Sequence, residues 1–590
     1  MSSSQFVLAY ACDREDAMSL LELDYRLDEA TRHLENVAGT ALERATAGDG
    51  RTGLVVWQHT RPRNSWPMFS TRDGEAAAWL HIPSVAGGID DASDPIDLAR
   101  GLTNGAVDRV GMGAPCAAFH WSKTGLSIVN DRLGMVRLYQ FTVPGFGHVW
   151  SSRPGLAHVF GGLSPELAQS TWSDMATLGW PADGSAHLGN GHQLSASTVV
   201  SASDDGKAMI SSDRDEWMTS SLDGDVPSLA EGARGMVRSL SVASWWAGKP
   251  IADLSGGKDS RVTAAAAISA GIVDTVRTVN TDTGEVDTAR ALLRLAGDPV
   301  EHRVDSVLEP APPEGGVFNR YLSMQRAWEG AYNARSAYRS RAFTGFRPAS
   351  APRINGLGGE AVQGRTTVSP AWRAKMEGQG PDAGRERLAQ MVRSGAGGVT
   401  EAGIEDSIES VDRFVGSAQQ SGMSTAFMVI DYFYHFSKMP YWSLPQGTGS
   451  TLLPFYSPQM LPRTMWSLAN ASEEYGSLHR EILREILPGW ADVPFYKGSA
   501  ITRATPWMWE NSDWNELSST IRDGVHSSAT FSPQAVGQLL EEAEAGAGNV
   551  RHELAFTRVM WELSFREYMN DIARAAEQTA KGVQRIRRSQ

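Results

Sequence analysis

Cysteine is nearly absent from this sequence, with only Cys12 and Cys116 among 590 residues. Two cysteines exclude a disulfide framework and a cysteine-rich zinc site, and they are typical of a reducing compartment. No apolar run reaches the roughly 20 residues that a membrane-spanning helix needs, and the first residues lack the basic and apolar regions of a signal peptide. We therefore expect a cytoplasmic protein that makes no contact with a membrane.

Positive charge is also scarce. Lys and Arg total 54 against 68 Asp and Glu, which gives a net charge of −14. A nucleic-acid surface needs clustered cations to neutralise phosphates, so no nucleic-acid partner is expected. The chain is long, with 590 residues of which 41% are hydrophobic. This is more than a single hydrophobic core usually contains, so two or more globular domains are predicted.

The first part of the chain, residues 1–205, is rich in short β-prone runs separated by Gly, Pro, Asn and Asp. Examples are GLVVWQHT, AAAWLHIPSV, GLSIVNDR and VRLYQFTV, whose lengths and turn signals indicate an antiparallel sheet. Helical segments are expected near residues 15–35 and 164–178. The polar stretch at residues 201–217 is interpreted as a linker to a second domain.

Beyond this stretch the pattern changes to alternating strands and helices, from PIADLSGGKDSRV through TVRTVNT to VEHRVD. This alternation indicates an α/β domain with a parallel, doubly wound sheet. Past residue 318 the chain is expected to be mostly helical, with a long amphipathic segment from residue 551 to about 585. Residues 375–402 are polar and Gly-rich and are interpreted as a mobile insertion.

The segment IADLSGGKDSR at residues 251–261 is the most informative motif. Residues 251–254 form a predicted buried strand, the next three turn the chain, and a helix begins near Asp259 and Ser260. Glycines let backbone N–H groups approach an anion, and serine hydroxyls and the helix N-terminus add donors. The turn therefore suits a phosphate or pyrophosphate, and Asp259 fits it if Mg²⁺ lies between them.

The spacing is not that of a Walker A loop, which requires G-x-x-x-x-G-K-[ST]. The Ser-Gly-Gly-x-Asp-Ser turn resembles instead the pyrophosphatase loop of ATP-dependent adenylating enzymes, which cleave ATP between the α and β phosphates. The resemblance implies AMP and pyrophosphate as products. It implies that the phosphates of ATP are bound by Ser255, Gly256, Gly257, Asp259 and Ser260. Lys258, by contrast, is expected to be a solvated cation.

Further segments, in order along the chain, resemble the asparagine synthetase class B family. Asp131-Arg132-Leu133-Gly134 with Leu138-Tyr139 is similar to the Asp-Arg-x-Gly-x-x-Pro-Leu-Tyr signature of its N-terminal glutaminase domain. Its other signatures correspond here to Ser151-Ser152 and to residues 355–360, 453–456 and 494–497. The resemblance implies a glutaminase-like (Ntn-type) antiparallel β-sandwich with helices over residues 1–205. It implies an ATP-pyrophosphatase domain, using ATP and Mg²⁺, over residues 206–590.

The same resemblance assigns roles to residues of the second domain. Asp259 and Glu360 would hold Mg²⁺ against the pyrophosphate end of ATP, where the family has Asp at the second position. Lys497 would stabilise the charge that develops on the α-phosphate and on the tetrahedral intermediate, with Glu360 as the other catalytic residue. The remaining nucleotide contacts would come from Leu254, Val279 and Gly358. A core strand alone explains Val279 equally well.

Ser2 is the first of two departures from the family pattern. The glutaminase uses a cysteine directly after the initiator methionine as its nucleophile, and this chain has Ser2 there. A serine hydroxyl lacks the nucleophilicity of a thiolate, and no assisting base is evident. Glutamine hydrolysis is therefore expected to be lost, which leaves the N-terminal domain with a structural role.

Leu357 is the second departure. Asparagine-forming enzymes have Glu at this position and β-lactam synthetases have Tyr, and both side chains can transfer protons. Leucine cannot, so the nucleophile must need little activation there, as for a peptide α-amine with a pKa of about 7.7–8.0. A leucine is also compatible with the loss of all activity.

Together these departures make the chain most similar to the macrolactam cyclases of lasso peptide biosynthesis. Those ligases adenylate an Asp or Glu side chain of a ribosomal precursor peptide, and the freed N-terminal amine closes an isopeptide-linked ring. The resemblance implies a precursor peptide, a leader peptidase and a leader-recognition protein as partners. The alternatives are a β-lactam synthetase, an ammonia-using or amine-using amide synthetase, and a non-catalytic peptide-binding scaffold.

Overall fold

The computed structural model describes most of the chain, with gaps at several loops. The described residues are 5–13, 18–59, 66–85, 93–107, 112–224, 226–246, 248–280, 283–306, 315–335, 351–362, 370–441, 451–470, 474, 476–496, 507–510 and 512–590. Ser2 and Lys497 lie outside them. The chain is of the mixed α/β class, as predicted, with antiparallel sheets first, a parallel sheet later and a largely helical remainder.

The N-terminal region contains two six-stranded antiparallel sheets. Their strands are β1 (Gln5–Cys12), β2 (Glu43–Gly48), β3 (Thr52–Gln58), β4 (Phe69–Arg72), β5 (Glu75–Leu80), β6 (Ala117–Ser122), β7 (Gly125–Asn130), β8 (Tyr139–Val143), β9 (Gly147–Ser151), β10 (Gly191–Gln193), β11 (Thr198–Ser203) and β12 (Ala208–Ser212). The first sheet has the order β10-β8-β9-β1-β3-β2 and the second has the order β12-β11-β7-β6-β5-β4.

Helices surround these sheets and make up most of the second half of the chain. They are α1 (Leu20–Ala38), α2 (Pro95–Asn104), α3 (Pro154–Gly161), α4 (Gln169–Thr177), α5 (Arg214–Asp223), α6 (Leu229–Ser239), α7 (Lys258–Ser269), α8 (Thr283–Leu295), α9 (Gly316–Trp328), α10 (Gly359–Val362), α11 (Pro370–Met376), α12 (Pro381–Gly395), α13 (Glu401–Gln420), α14 (Ala426–Phe433), α15 (Met460–Trp466), α16 (Ser477–Ile486), α17 (Trp514–Val525), α18 (Pro533–Glu544) and α19 (Val550–Ser589). A π-helix, Tyr434–Lys438, continues α14. None of the described helices is both long and apolar enough to cross a membrane.

The N-terminal region is a four-layer sandwich because both faces of each sheet are apolar. On β1, Val7 and Ala9 face the second sheet, whereas Leu8 and Tyr10 face α1 and α3. The outer face of the second sheet packs on α2 through residues such as Trp79. Side chains alternate between the faces of a strand, so one strand serves both cores.

The parallel sheet consists of β13 (Ile251–Asp253), β14 (Thr275–Asn280), β15 (Glu301–Ser306), β16 (Arg353–Ile354) and β17 (Thr451–Leu452). They pair in the order β15-β14-β13-β16-β17, with every pairing parallel. The order along the sheet reverses between β13 and β16, so the sheet is doubly wound. Ligands of such sheets bind beside the carboxyl ends of the strands at this switch point.

The segment at residues 201–217, interpreted above as a linker, is folded. It contains the end of β11, the whole of β12 and the start of α5, and β12 pairs with β11 from Thr198↔Ser212 to Ala202↔Ala208. Its polar composition reflects the place of β12 at the edge of the second sheet, where four of its five residues are exposed. The boundary drawn at residue 205 falls inside this hairpin.

The prediction of a mobile insertion at residues 375–402 is wrong, because the segment is mainly helical. α12 begins at Pro381, directly after Gly380, and buries Leu388 and Val392 in a core shared with α14. Proline suits the first turn of a helix, where its missing N–H has no partner to lose. Most glycines of this segment therefore lie at the ends of helices, whereas Gly384 lies within α12 and packs closely against α14.

Candidate functional site

Two loops meet at the switch point of the parallel sheet. The first loop (residues 254–260) follows β13 and enters α7, and the second loop (residues 355–360) follows β16 and enters α10. β13 and β16 are neighbouring parallel strands, so both loops leave the same edge of the sheet. The structure thus brings the Ser-Gly-Gly-Lys-Asp-Ser segment and the Gly-Leu-Gly-Gly-Glu segment together.

Hydroxyl groups shape the first loop. Ser260 Oγ accepts a hydrogen bond from the Ser255 N–H at 3.1 Å and lies 2.7 Å from Ser255 Oγ. Ser255 Oγ in turn accepts from the Gly257 N–H at 3.1 Å. Gly257 is the N-cap of α7 and has no side chain to cap it, so the first N–H groups of this helix are suited to an anion.

Glycine is required where the second loop touches its neighbours. A Cβ on Gly356 would lie 2.4 Å from Ser260 N, and a Cβ on Gly359 would lie 2.6 Å from Asp259 Cβ. Gly358 has φ +86° and would bring a Cβ within 2.8 Å of the Tyr456 ring. The spacing of these glycines is therefore explained by close packing of the second loop on the first loop and on Tyr456.

Asp259 lies in a polar cluster with Lys258 and His479. Lys258 Nζ donates to Asp259 Oδ1 at 2.8 Å, and His479 Nε2 donates to the same oxygen at 2.8 Å. His479 Nε2 is also 2.9 Å from the carbonyl oxygen of Gly359 in the second loop. Lys258 is only 8% exposed, so the prediction of a solvated cation is wrong. Its ammonium group instead neutralises Asp259.

The two carboxylates of the site have opposite pKa shifts. Burial raises the pKa of Asp259, but hydrogen bonds from His479 and Lys258 and the charge of Lys258 outweigh it, and the net pKa is lowered. Burial raises the pKa of Glu360 to about 7, and the negative charge of Asp259 acts in the same direction. Near neutral pH, Glu360 is thus partly protonated beside an ionised Asp259.

This pair of carboxylates fits a divalent cation. Mg²⁺ is usually held by one or two carboxylates, with phosphate oxygens and water completing its shell. Asp259 and Glu360 supply such carboxylates, and a cation between them would relieve the repulsion that raises the pKa of Glu360. Within the described ranges, His, Cys, Asp and Glu side chains form no metal-binding group of three or more. Asp259 and Glu360 are thus the two carboxylates of this site that could hold such an ion.

Arg261 connects the first loop to the segment that precedes Lys497. Its buried guanidinium donates to the carbonyl oxygens of Gly256 at 2.9 Å and Pro494 at 3.0 Å. The Tyr496 N–H donates to the same Gly256 carbonyl at 2.8 Å. The predicted catalytic Lys497 lies outside the described residues, but the residue before it is attached to the first loop.

Lys438 is a further cation of this region, at the end of the π-helix. Burial lowers its pKa, and the negative charge of Glu360 opposes that shift. The Nζ atom lies 5.2 Å from the centroid of the Tyr434 ring and 5.8 Å from that of Trp180. Leu357 is partly buried against the same core as the π-helix. Glu360 and Lys438 therefore supply titratable groups in a region where Leu357 supplies none.

The end of β14 has a less defined role. Thr278 Oγ1 donates to the Leu254 carbonyl oxygen at 2.6 Å and lies 2.8 Å from His302 Nε2. These bonds hold Leu254 beside β14 and give His302 a structural partner. Val279 is 36% exposed at the carboxyl end of the strand, so its contact with a nucleotide stays a prediction.

In the N-terminal region, the side chains of the signature residues Asp131 and Ser152 accept hydrogen bonds from backbone N–H groups. The carboxylate of Asp131 is fully buried and accepts hydrogen bonds from four backbone N–H groups. These belong to Cys116, Leu133, Met135 and Val136. Burial raises the pKa of Asp131 to about 6, although the four bonds oppose it. Ser152 Oγ likewise accepts from the Val7 N–H at 3.1 Å.

The N-terminal region also contacts the elements that surround the second loop. Trp180 Nε1 donates to Ser437 Oγ at 3.1 Å, next to Lys438 in the π-helix. The Ala114 N–H donates to the carbonyl oxygen of Tyr456 at 3.0 Å, and the ring of Tyr456 packs against Gly358. One wall of the candidate site is thus supported from the N-terminal region.

Sequence reasoning did not identify His479 or Lys438. In α16 the buried residues are His479, Ile482 and Leu483, so His479 shares the apolar face at helical spacing. A histidine at helical spacing from apolar residues is the sequence feature that indicates a buried His479. Its partner Asp259 is 220 positions away in the chain, and no local pattern joins the two.

Comparison with known proteins gives little further information. No protein-family model matches the chain, and no curated protein matches it. One similar solved structure is that of the allosteric regulatory enzyme of purine biosynthesis, with 12% identity over 53% of this chain and 82% of that chain, and a TM-score of 0.22. Another is glutamine phosphoribosylpyrophosphate amidotransferase from B. subtilis complexed with ADP and GMP, with 11% identity over 52% and 82% and a TM-score of 0.22. Similarities this weak define neither fold nor function.

Proposed function

We propose that this chain is an ATP-dependent, AMP-forming amide ligase whose substrate is a leader-cleaved ribosomal precursor peptide. It adenylates an Asp or Glu side chain of the peptide and closes an isopeptide macrolactam with the N-terminal amine. The observation that carries the proposal is the meeting of the two loops at the switch point, with Asp259 and Glu360 at their ends. A leader peptidase and a leader-recognition protein are the expected partners.

The first loop is the proposed phosphate site. The N–H groups at the start of α7 and the hydroxyls of Ser255 and Ser260 are the donors, and a helix N-terminus favours negative charge. Asp259 and Glu360 would hold Mg²⁺, which neutralises phosphate charge when it is bound. Lys258 offsets the charge of Asp259 from the buried side.

Two displacement steps complete the reaction. In the first, an oxygen of the peptide carboxylate attacks the α-phosphorus of ATP, and pyrophosphate leaves with the electrons of the broken P–O bond. In the second, the N-terminal amine attacks the acyl carbon, AMP leaves, and the amine loses one proton as the amide forms. A peptide α-amine has a pKa of about 7.7–8.0 and is partly neutral near pH 7, so it needs no base at Leu357.

The N-terminal region has a supporting role in this proposal. Asp131 is engaged by backbone N–H groups, and Trp180 and Ala114 contact the elements around the second loop. Both observations fit a domain retained for its packing and not for glutamine hydrolysis. Ser2, in place of the family cysteine, fits the same role.

Exchange of labelled pyrophosphate into ATP tests the adenylation step. The full chain is incubated with Mg²⁺, ATP and synthetic peptides that have a free N-terminal amine and one Asp or Glu. Peptide-dependent exchange is expected, together with AMP and a product lighter by one water. The matched control is the same peptide with an acetylated N-terminus, which should permit exchange but give no cyclic product.

Each other outcome identifies a different function. ADP in place of AMP, or a product without loss of water, would overturn the adenylation proposal. Cyclisation of a small amino acid derivative would favour a β-lactam synthetase, and transfer of ammonia to the carboxylate would favour an amide synthetase. Peptide binding without turnover of ATP would leave the scaffold alternative.

A further inference from the structure

The side chain of His479 bonds directly to both loops. It lies in the first turn of α16 and is fully buried. Nε2 is 2.8 Å from Asp259 Oδ1 in the first loop and 2.9 Å from the Gly359 carbonyl oxygen in the second. These two neighbours are hydrogen-bond acceptors, whereas the donor Lys258 Nζ lies farther from Nε2, at 3.4 Å. We therefore place the ring proton on Nε2, between the two acceptors.

The surroundings of His479 hold the ring in one orientation. Its centroid lies 6.0 Å from that of Phe455 and 6.5 Å from that of Phe495. Nδ1 is buried and has no hydrogen-bond partner among the residues that the structure describes, which agrees with a neutral ring whose proton is on Nε2. Burial lowers the pKa of His479. A neutral donor can bridge the loops without adding a second positive charge beside Lys258.

We propose that His479 is a positioning residue, whose ring N–H ties the loop of Asp259 to the loop of Glu360 and fixes the separation of the two carboxylates. Glu360 directly follows Gly359, whose carbonyl oxygen accepts the bond. A shift of that carbonyl therefore moves the backbone of Glu360 relative to Asp259. Groups that orient metal-binding carboxylates typically affect metal affinity or activity by about 10–100-fold when removed.

The test compares three variants of the full chain. His479→Leu fills the site but removes the donor, and His479→Gln keeps a side-chain N–H of similar reach. The control is His552→Ala in α19, because His552 is also a buried histidine whose Nε2 lies 3.0 Å from a carboxylate, that of Glu542. His552 belongs to the C-terminal helix and contacts neither loop in the interactions described here.

The first measurement needs no ligand. Hydrogen exchange is followed for peptides that cover residues 254–260 and 355–360, in the absence of Mg²⁺ and ATP. We expect exchange about tenfold faster in both loops for His479→Leu, with near wild-type exchange for His479→Gln and His552→Ala. Unchanged exchange in the leucine variant would overturn the tie between the loops.

The second measurement rests on the proposed function. For His479→Leu, the Mg²⁺ concentration that half-saturates ATP–pyrophosphate exchange is expected to rise about tenfold, while the rate at saturating Mg²⁺ stays within about threefold. His479→Gln should restore the Mg²⁺ dependence. An unchanged Mg²⁺ dependence would contradict the positioning role, whereas no exchange in the wild type would contradict the proposed function alone. If His479→Leu does not fold, His479→Asn, whose amide is too short to bridge both acceptors, is tested with the same expectations.

Discussion

Asp131 and Asp259 each lie in a loop that follows a strand and resembles a family signature, yet their surroundings differ. Asp131 is completely buried, and its partners are backbone N–H groups. The side chain of Asp259 is 30% exposed, and its partners are the side chains of Lys258 and His479. A carboxylate bound by backbone amides holds the fold, whereas one bound by side chains at an open edge can exchange partners with a ligand.

The pKa shifts follow the same division. Burial dominates at Asp131 and raises its pKa to about 6. At Asp259 burial is outweighed by the donors around it, and the pKa is lowered. Asp131 of the N-terminal region is thus a buried hydrogen-bond acceptor. Asp259 of the parallel-sheet region stays ionised and partly exposed.

The largest effect on stability is expected for Asp131→Ala. The change leaves four buried N–H groups without their acceptor, and each buried unsatisfied group costs about 1–3 kcal/mol. We expect the free energy of unfolding to fall by at least about 4 kcal/mol in a urea titration. Asp205→Ala, in the exposed β11–β12 turn, is the control and should change it little. A small loss for Asp131→Ala would show that these bonds do not hold the loop.

Asp259→Asn should have the converse effect, on activity. The amide keeps the shape of the side chain but loses the charge that would hold Mg²⁺, so ATP–pyrophosphate exchange should fall by about 100-fold or more. The fold should be retained, as judged by circular dichroism. Asp274→Asn, in the same region but paired with Lys249 at the surface, should keep wild-type exchange. A wild-type rate of ATP–pyrophosphate exchange in Asp259→Asn would show that Asp259 does not hold Mg²⁺.

Glu360 predicts a dependence of stability on pH in the absence of Mg²⁺. Its pKa is raised from 4.5 to about 7 in the folded chain, so the folded state binds the proton more tightly than the unfolded state. Stability should therefore be highest below pH 4.5 for this group and fall as pH rises towards 7. We expect a fall of about 3 kcal/mol in wild type relative to Glu360→Gln, because each pKa unit corresponds to about 1.4 kcal/mol. Parallel pH profiles for the two proteins would contradict the shift.

The smallest effect is expected for Trp180→Phe. The change removes the hydrogen bond to Ser437, which is worth about 1 kcal/mol of stability. Trp172→Phe loses a comparable bond, to the His187 carbonyl oxygen at 3.0 Å, and is the matched control. Both should lose similar stability, but only Trp180→Phe should slow ATP–pyrophosphate exchange. Equal exchange rates would mean that the N-terminal region does not support the wall of the site.

Features that depend on local order were predictable from the sequence. The strand before Ser255, the glycine turn and the helix after it are a single contiguous pattern, and the structure contains all three. The alternation of strands and helices likewise predicted the parallel sheet. The close approach of the two loops was only indirectly predictable. Glycines in the second loop indicate tight packing, but they do not indicate which segment packs against them.

The remaining features depend on contacts between distant segments. His479 and Asp259 are 220 positions apart, so their bond has no local signature. Lys258 was expected in solvent because its position varies in the family that the motif resembles, but it is 8% exposed and its Nζ lies 3.4 Å from Nε2 of His479 in α16. The prediction for residues 375–402 was wrong for a different reason. A segment with glycines near the ends of its helices can have the same composition as a mobile loop.

The length of α19 has a consequence for how the chain is made. Its 40 residues span about 60 Å at the usual rise per residue, and it packs on both α3 and α1 of the N-terminal region. Arg587 donates to the buried carboxylate of Glu22 at 2.8 Å, and Gly582 lies so close to Tyr25 that a Cβ would come within 2.1 Å of its ring. During synthesis the N-terminal sandwich is made long before α19. The face of α1 that packs on α19 is therefore exposed to solvent until the end of the chain has been synthesised.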